Sequence, residues 1–311
     1  MVKHIICRYV YPTEIDTFGS VSARQKNIAS GPIGRAWAHN YTTAGRLPLH
    51  PSLGPSNTDF PPSSSLSDSE RQRILGSPLS HAALSFVHGG LAPNYPHLQP
   101  YPSAINTIAA SLLHKLQTQT PLPPPYPPNP YPGLPGATWE EVKLYGSDGP
   151  LWFRGWALEN EQQVCKDVDG VLQQIGVRRM IMGHTPDFEV GCALLRQSAE
   201  CILDNHLILI NRIQRIVSRC GGKIIIIDTG QPLFHSLTFT PTFTHHPGIS
   251  HAYAGVLSAL SVEYSLTPVG SSEETEKQEW EEREIVKAIY EGKEEVLVND
   301  ERKVVGDFTT V

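Results

Sequence analysis

Two short apolar runs in this chain end in the same way, in a histidine set against glycine: Ser85-Phe86-Val87-His88-Gly89-Gly90 and Arg179-Met180-Ile181-Met182-Gly183-His184. An apolar run without polar alternation reads as a strand covered on both faces, and such strands belong to parallel sheets packed between other layers. A third run, Ile224 to Ile227 in GGKIIIIDTG, has the same character and is the strongest strand signal in the chain. Helical periods lie between the first two. Ile105, Ile108, Ala109, Leu112 and Leu116 mark one helix over residues 104–116. Val164, Val168, Val171, Leu172 and Ile175 mark another over 159–176, with Gly176 where a left-handed C-cap belongs. Buried strands alternating with amphipathic helices place the chain in the α/β class.

The flanking segments carry weaker signals. Ile33, Ala36, Trp37 and Tyr41, with Ser20 and Ser22 as caps, predict two short helices within residues 15–46. Residues 47–80 are rich in Pro and Ser, which bury too little to offset their ordering entropy, and predict an exposed, mobile loop. The tract PLPPPYPPNPYPGLPG at 121–136 predicts an exposed polyproline-like segment, read either as a spacer or as an SH3 or WW ligand. Residues 255–264 read as another strand. Ser271-x-x-Glu274 reads as a capping box opening an acidic helix to about residue 291, within a C-terminal helix and tail over 270–311.

Composition narrows the function classes. The net charge of -6 with no basic cluster argues against a nucleic-acid or anionic-membrane surface. The apolar residues before Pro12 and Glu14 are too few for a secretory signal or a membrane span. Cys7, Cys165, Cys192, Cys201 and Cys220 are odd in number, widely spaced and without a CxxC pair, so neither a disulfide framework nor a zinc ribbon is expected. A soluble protein of a reducing, intracellular and cytoplasmic environment is the expectation.

A histidine at a strand end beside glycine can present an imidazole to a cleft while the backbone stays close to a ligand. Either His alone reads as structural; the repetition points to metal or phosphate chemistry. The words around them support this. SFVHGGLAP resembles the VHGGL segment of calcineurin-like metallophosphoesterases of the phosphoprotein phosphatase branch, and RRMIMGHTPD resembles that family's Gly-His-Thr segment. DGPLWFRGWA resembles the loop bearing a phosphate-contacting arginine, while CGGKIIIIDTG and ISHAYAGVLSAL resemble the closing strands. Together they span most of residues 80–265 in the family's order, in forms closest to the Shewanella-like protein phosphatases.

The resemblance implies a mixed β-sheet sandwich flanked by helices, here incomplete at its N-terminus. It implies His88 and His184 as ligands of one metal of a binuclear manganese, iron or zinc site, Arg154 gripping a substrate phosphate, and Tyr253 lining the cleft. The implied reaction is attack by a metal-generated hydroxide on a phosphorylated protein or small phosphoester. Asp228 stays open between an extra ligand and a strand-end turn cap. His245, His246 and His251 lack a carboxylate or thiol at ligand spacing and read as a surface loop.

The sequence also departs from the family. The D-x-H, GDxxDRG and GNHE motifs belong ahead of the VHGG strand, and none occurs ahead of His88. YVYPTEIDTFGSVSARQ resembles the stretch that follows GNHE, so the chain is expected to begin just downstream of it. Two neutral imidazoles cannot offset the repulsion of two dications, so this chain alone is expected to be inactive. The competing class is a non-catalytic remnant or interaction protein acting through the Pro-rich tract. Two segments, 190–215 and 231–248, interrupt the resemblance. The second, QPLFHSLTFTPTFTHHPG, is read either as inserted protein or as a translated pyrimidine tract of an unspliced intron.

Overall fold

The computed structural model describes residues 12–118, 136–185, 215–227, 258–271 and 277–311. Among these the architecture is mixed α/β: a five-stranded mixed sheet, a three-stranded antiparallel sheet and helices. The mixed sheet has the order β1-β2-β3-β5-β4, formed by Ala44–Pro48, Ala83–Val87, Arg179–Met182, Ile224–Ile226 and Val217–Arg219 respectively. β2, β3 and β5 are parallel neighbours, while β1 and β4 close the two edges antiparallel. The predicted helices are present as α5 (Ser103–Thr118) and α8 (Glu161–Ile175), and α8 ends on Gly176 in the left-handed conformation.

Because side chains alternate along a strand, the apolar runs supply both faces of the sheet at once. Ala83, Val87, Met180, Met182, Ile224 and Ile226 face a core completed by Ile105 and Leu112 of α5 and the Val164–Ile175 stripe of α8. On the opposite face Leu84, Ile181 and Ile225 pack against Val286, Ala288 and Val298 of the antiparallel sheet. The mixed sheet is therefore sandwiched between helices and a second sheet. Ser85, on the helix face of β2, donates to the Tyr101 hydroxyl at 2.5 Å, which donates in turn to Gly45 O at 3.0 Å. No polar atom of that buried pair is left unanswered.

The antiparallel sheet corrects the acidic helix expected after residue 274. β6 (Ser258–Ser271), β7 (Gln278–Tyr290) and β8 (Lys293–Val305) form a meander, with Gly292 at φ 70° in the two-residue turn between β7 and β8. Along β7 the buried residues are Trp280, Glu282, Glu284, Val286 and Ala288, a period of two. The two glutamates are held by charge. Glu282 pairs with Arg178, Arg302 and the Tyr264 hydroxyl, and Glu284 pairs with Arg178 and Arg179, the latter at 2.7 Å. The strand predicted at 255–264 is β6, which extends to Ser271 and carries an irregularity between Pro268 and Gly270.

The N-terminal expectation of two helices is corrected to three, α1 (Pro12–Phe18), α2 (Val21–Ser30) and α3 (Pro32–Asn40), followed by β1. Asn106 fixes β1 in place: its Oδ1 accepts from Thr43 N and Ala44 N, and its Nδ2 donates to Ala44 O. Residues 47–80 are not a free loop. They contain a 3-10 turn at Pro51–Leu53 and helix α4 (Asp68–Leu75), whose N-terminus has a capping box between Ser67 and Glu70. They also bury Leu53, Phe60 and Leu79. Arg46, itself buried, donates to Thr58 O, Ser80 O and Gly176 O and so ties the segment down. The Pro-rich tract up to residue 135 and both interrupting segments, apart from Arg215, lie outside the described residues.

Candidate histidine site at the strand ends

β2 and β3 run parallel with Val87 level with Met182, so the residues that follow them emerge side by side at the carboxyl edge of the sheet. In open α/β sheets that edge is where ligands bind. The backbones of the two turns are joined directly, Gly183 N donating to His88 O at 2.9 Å. The rings of His88 and His184 lie 4.9 Å apart at 54°. Both predicted metal ligands are thus brought together.

The glycines of His-Gly-Gly have a steric explanation. Gly89 N donates to Pro150 O at 2.7 Å, and a Cβ on Gly89 would fall 2.8 Å from Trp152 N. Gly90 sits at φ 98°, and a Cβ there would fall 2.5 Å from Cδ1 of Trp156. Both positions need glycine because the loop at 149–156 lies directly against them. Trp156, buried, donates its indole N–H to Leu91 O at 2.9 Å and locks that loop under the His88 turn.

The same loop, which follows α6 (Trp139–Tyr145), carries Arg154 at the entry of the short helix α7 (Gly155–Leu158). Its Nη1 donates to Thr185 Oγ1 at 2.8 Å, which places the guanidinium beside the His184 turn. Arg154 is exposed and Thr185 is buried. Three of the four predicted site residues therefore converge. Tyr253 lies outside the described residues, as do Asp228, His245, His246 and His251.

His184 has two unusual properties. Its backbone is left-handed at φ 69°, and its Nε2 is buried with no hydrogen-bond partner among the described residues. An L-residue with a Cβ occupies that region at a cost, and an orphaned buried imidazole nitrogen costs more. Burial first, then the Arg154 guanidinium and His88, push the His184 imidazolium down to about 4. At neutral pH the ring is uncharged and keeps a lone pair for a ligand. Trp152 covers it edge-on with ring centroids 5.0 Å apart, and Tyr145 backs Trp152 at 5.6 Å.

The donor set fits a divalent ion in part. His88 and His184 offer two neutral nitrogens, but among the described residues no third His, Cys, Asp or Glu joins them. The triad that does form is Glu161, Cys165 and Cys220, whose donor atoms lie within 4.8 Å of one another. There Cys165 and Cys220 are joined as a disulfide, with Cα atoms 5.2 Å apart, a single cross-link that the wide cysteine spacing did not announce. Sequence alone carried no signal for it, since 55 residues separate the pair. Trp152, Trp156 and Thr185 were also unassigned. Their roles depend on which loop the fold lays against the strand ends.

No family model and no solved structure matches the chain. An uncharacterized protein of Schizosaccharomyces pombe is 24% identical over 209 residues, covering 67% of this chain and 40% of that protein. The chain thus spans less than half the length of that relative. No helix among the described residues is long and apolar enough to cross a membrane.

Proposed function

We propose that this chain carries part of the active site of a metal-dependent phosphoester hydrolase of calcineurin-like type, in a mixed β-sandwich flanked by helices. The single observation that carries this reading is the pairing of His88 with a half-buried His184, whose buried Nε2 lacks a partner among the described residues, at the ends of adjacent parallel strands. His88 and His184 would hold one divalent manganese, iron or zinc ion, and imidazole suits all three. When bound, such an ion supplies Lewis acidity and a nucleophilic hydroxide at neutral pH.

The chain's own residues do the rest. Arg154 binds the non-bridging oxygens of a phosphate, since a guanidinium fork matches them in charge and geometry. Its hydrogen bond to Thr185 aims that fork across the His184 turn. Trp152 shields the imidazole from water on one side. The substrate is a phosphorylated protein or a small phosphoester. With no carboxylate ligand beside the two imidazoles among the described residues, the 311-residue chain binds one cation and a phosphate-like anion without turnover.

Calorimetric titration of the full chain with manganese, then with orthovanadate, tests this reading. One site per chain, lost in His184→Asn, is expected. Manganese binding by the oxidised chain that survives replacement of both histidines would overturn the site. Manganese-dependent hydrolysis of an aryl phosphate that His184→Ala abolishes would overturn the inactivity of the chain alone.

A further inference from the structure

Away from the histidine site, the first turn of α8 faces the tight Cys220-Gly221-Gly222 turn that joins β4 to β5. Glu161 and Cys165 stand one helical turn apart on the same face of α8, and Cys220 approaches from the turn. Glu161 Oε1 accepts the Cys220 N–H at 2.7 Å and lies 3.6 Å from Cys165 Sγ. Its other oxygen accepts from Arg219 Nε at 2.7 Å. Cys220 sits at φ 54°, a left-handed conformation that costs a residue with a Cβ, while Gly221 and Gly222, at 63° and 87°, adopt it freely.

From this arrangement we propose that the reduced chain uses Glu161, Cys165 and Cys220 to bind a zinc ion, which takes over the cross-link that the disulfide makes in the oxidised chain. A thiol reductant attacks one sulfur of the Cys165–Cys220 bond, forms a mixed disulfide and is released as its own disulfide, so two electrons and two protons pass to the protein. The two thiols then lose their protons to solvent as zinc binds, because thiolate is the ligand form. Zinc–sulfur and zinc–oxygen bonds of about 2.3 and 2.0 Å at tetrahedral angles place sulfur and oxygen about 3.5 Å apart and two sulfurs about 3.8 Å apart. The Glu161–Cys165 separation of 3.6 Å already matches the first value.

Charge also fits. Two thiolates and a carboxylate bring three negative charges against the dication, and the Arg219 guanidinium beside Glu161 balances the remainder. Glu161 is exposed and both cysteines are half-buried, so a reductant, the ion and a water in the fourth position all have access. Arg219 makes the site matter to the rest of the molecule. It donates to Trp156 O and Glu159 O, at 2.5 and 2.7 Å, as well as to Glu161, and so anchors the loop that carries Arg154.

Cobalt is the probe for this site, because thiolate-to-cobalt charge transfer and tetrahedral d–d bands report sulfur ligation directly. In the full chain reduced with a phosphine, these bands are expected at one cobalt per chain, displaced by zinc, and they are expected to be absent from the oxidised chain. Cys165→Ser and Cys220→Ser each lose them, and Glu161→Gln weakens cobalt affinity by roughly tenfold or more. A chain lacking both His88 and His184 keeps them, which separates this site from the phosphatase reading. Reduced wild-type chain with no thiolate–cobalt band overturns the proposal without any variant. So does a band that persists in Cys165→Ser or in the oxidised chain.

Discussion

His184 concentrates the physical oddities of the molecule: a left-handed backbone, a buried nitrogen without a partner among the described residues and a proton affinity far below that of a free imidazole. The sign of the resulting pH dependence follows from linkage. The folded value is about 4 against an ordinary 6.5, so between those values the unfolded chain binds more protons. This contribution to stability is complete above about pH 6.5 and is lost as the pH falls toward 4. Asn tolerates positive φ and cannot take up that proton, so His184→Asn should flatten the decline. Urea midpoints at pH 7 and pH 5 measure it, and an equal decline in both chains would refute the assignment. Arg154→Ala should weaken vanadate binding by roughly tenfold or more, with Arg154→Lys intermediate because an ammonium keeps the charge but not the fork. Both residues were legible in the sequence, through strand-end histidines and the Trp-Phe-Arg-Gly word. The turn geometry around them was not.

Among elements, α8 and β7 make opposite cases. The α8 stripe and its Gly176 cap are local signals, and the structure keeps both. Gly176 also lies under the Phe60 ring, where an added Cβ would fall 2.1 Å from Cγ. Gly176→Ala should therefore cost more than the ~1 kcal/mol usual for alanine in the left-handed region, read as a lowered chemical-denaturation midpoint. β7 misled because Glu282 and Glu284 look like a solvated face while their partners lie elsewhere, Arg178 and Arg179 more than a hundred residues upstream. Removing one member of a buried ion pair strands the others. Glu282→Ala should cost about 3 kcal/mol, the low end of the usual range because Arg302 is half in water, and Glu282→Gln less. A loss below 1 kcal/mol in equilibrium unfolding would show that water replaces the carboxylate. β1 was missed for a related reason: Ala-Gly-Arg-Leu-Pro has little strand character, and pairing with β2 together with the Asn106 amide sets its conformation.

At the scale of the whole molecule, the sandwich depends on the C-terminal sheet closing over Leu84, Ile181 and Ile225, and on cross-links between distant segments. The Cys165–Cys220 bond closes a 55-residue separation. Replacing both cysteines by serine under oxidising, metal-free conditions should lower the unfolding free energy by about 2–4 kcal/mol. Matching urea curves for the double variant and the oxidised parent would contradict a role for this bond in holding α8 to the sheet. What local order along the chain dictated here is the α/β class, the three buried strands, the helices α5 and α8 and the two strand-end histidines, because hydrophobic period and capping chemistry act over a few residues. Long-range pairing governed the buried charges of β7, the packed 47–80 segment, the disulfide and the left-handed His184. Each depends on a group brought close only when the sheet assembles, and hydrogen bonds, ion pairs and thiol contacts act over a few ångströms of space whatever their distance in sequence.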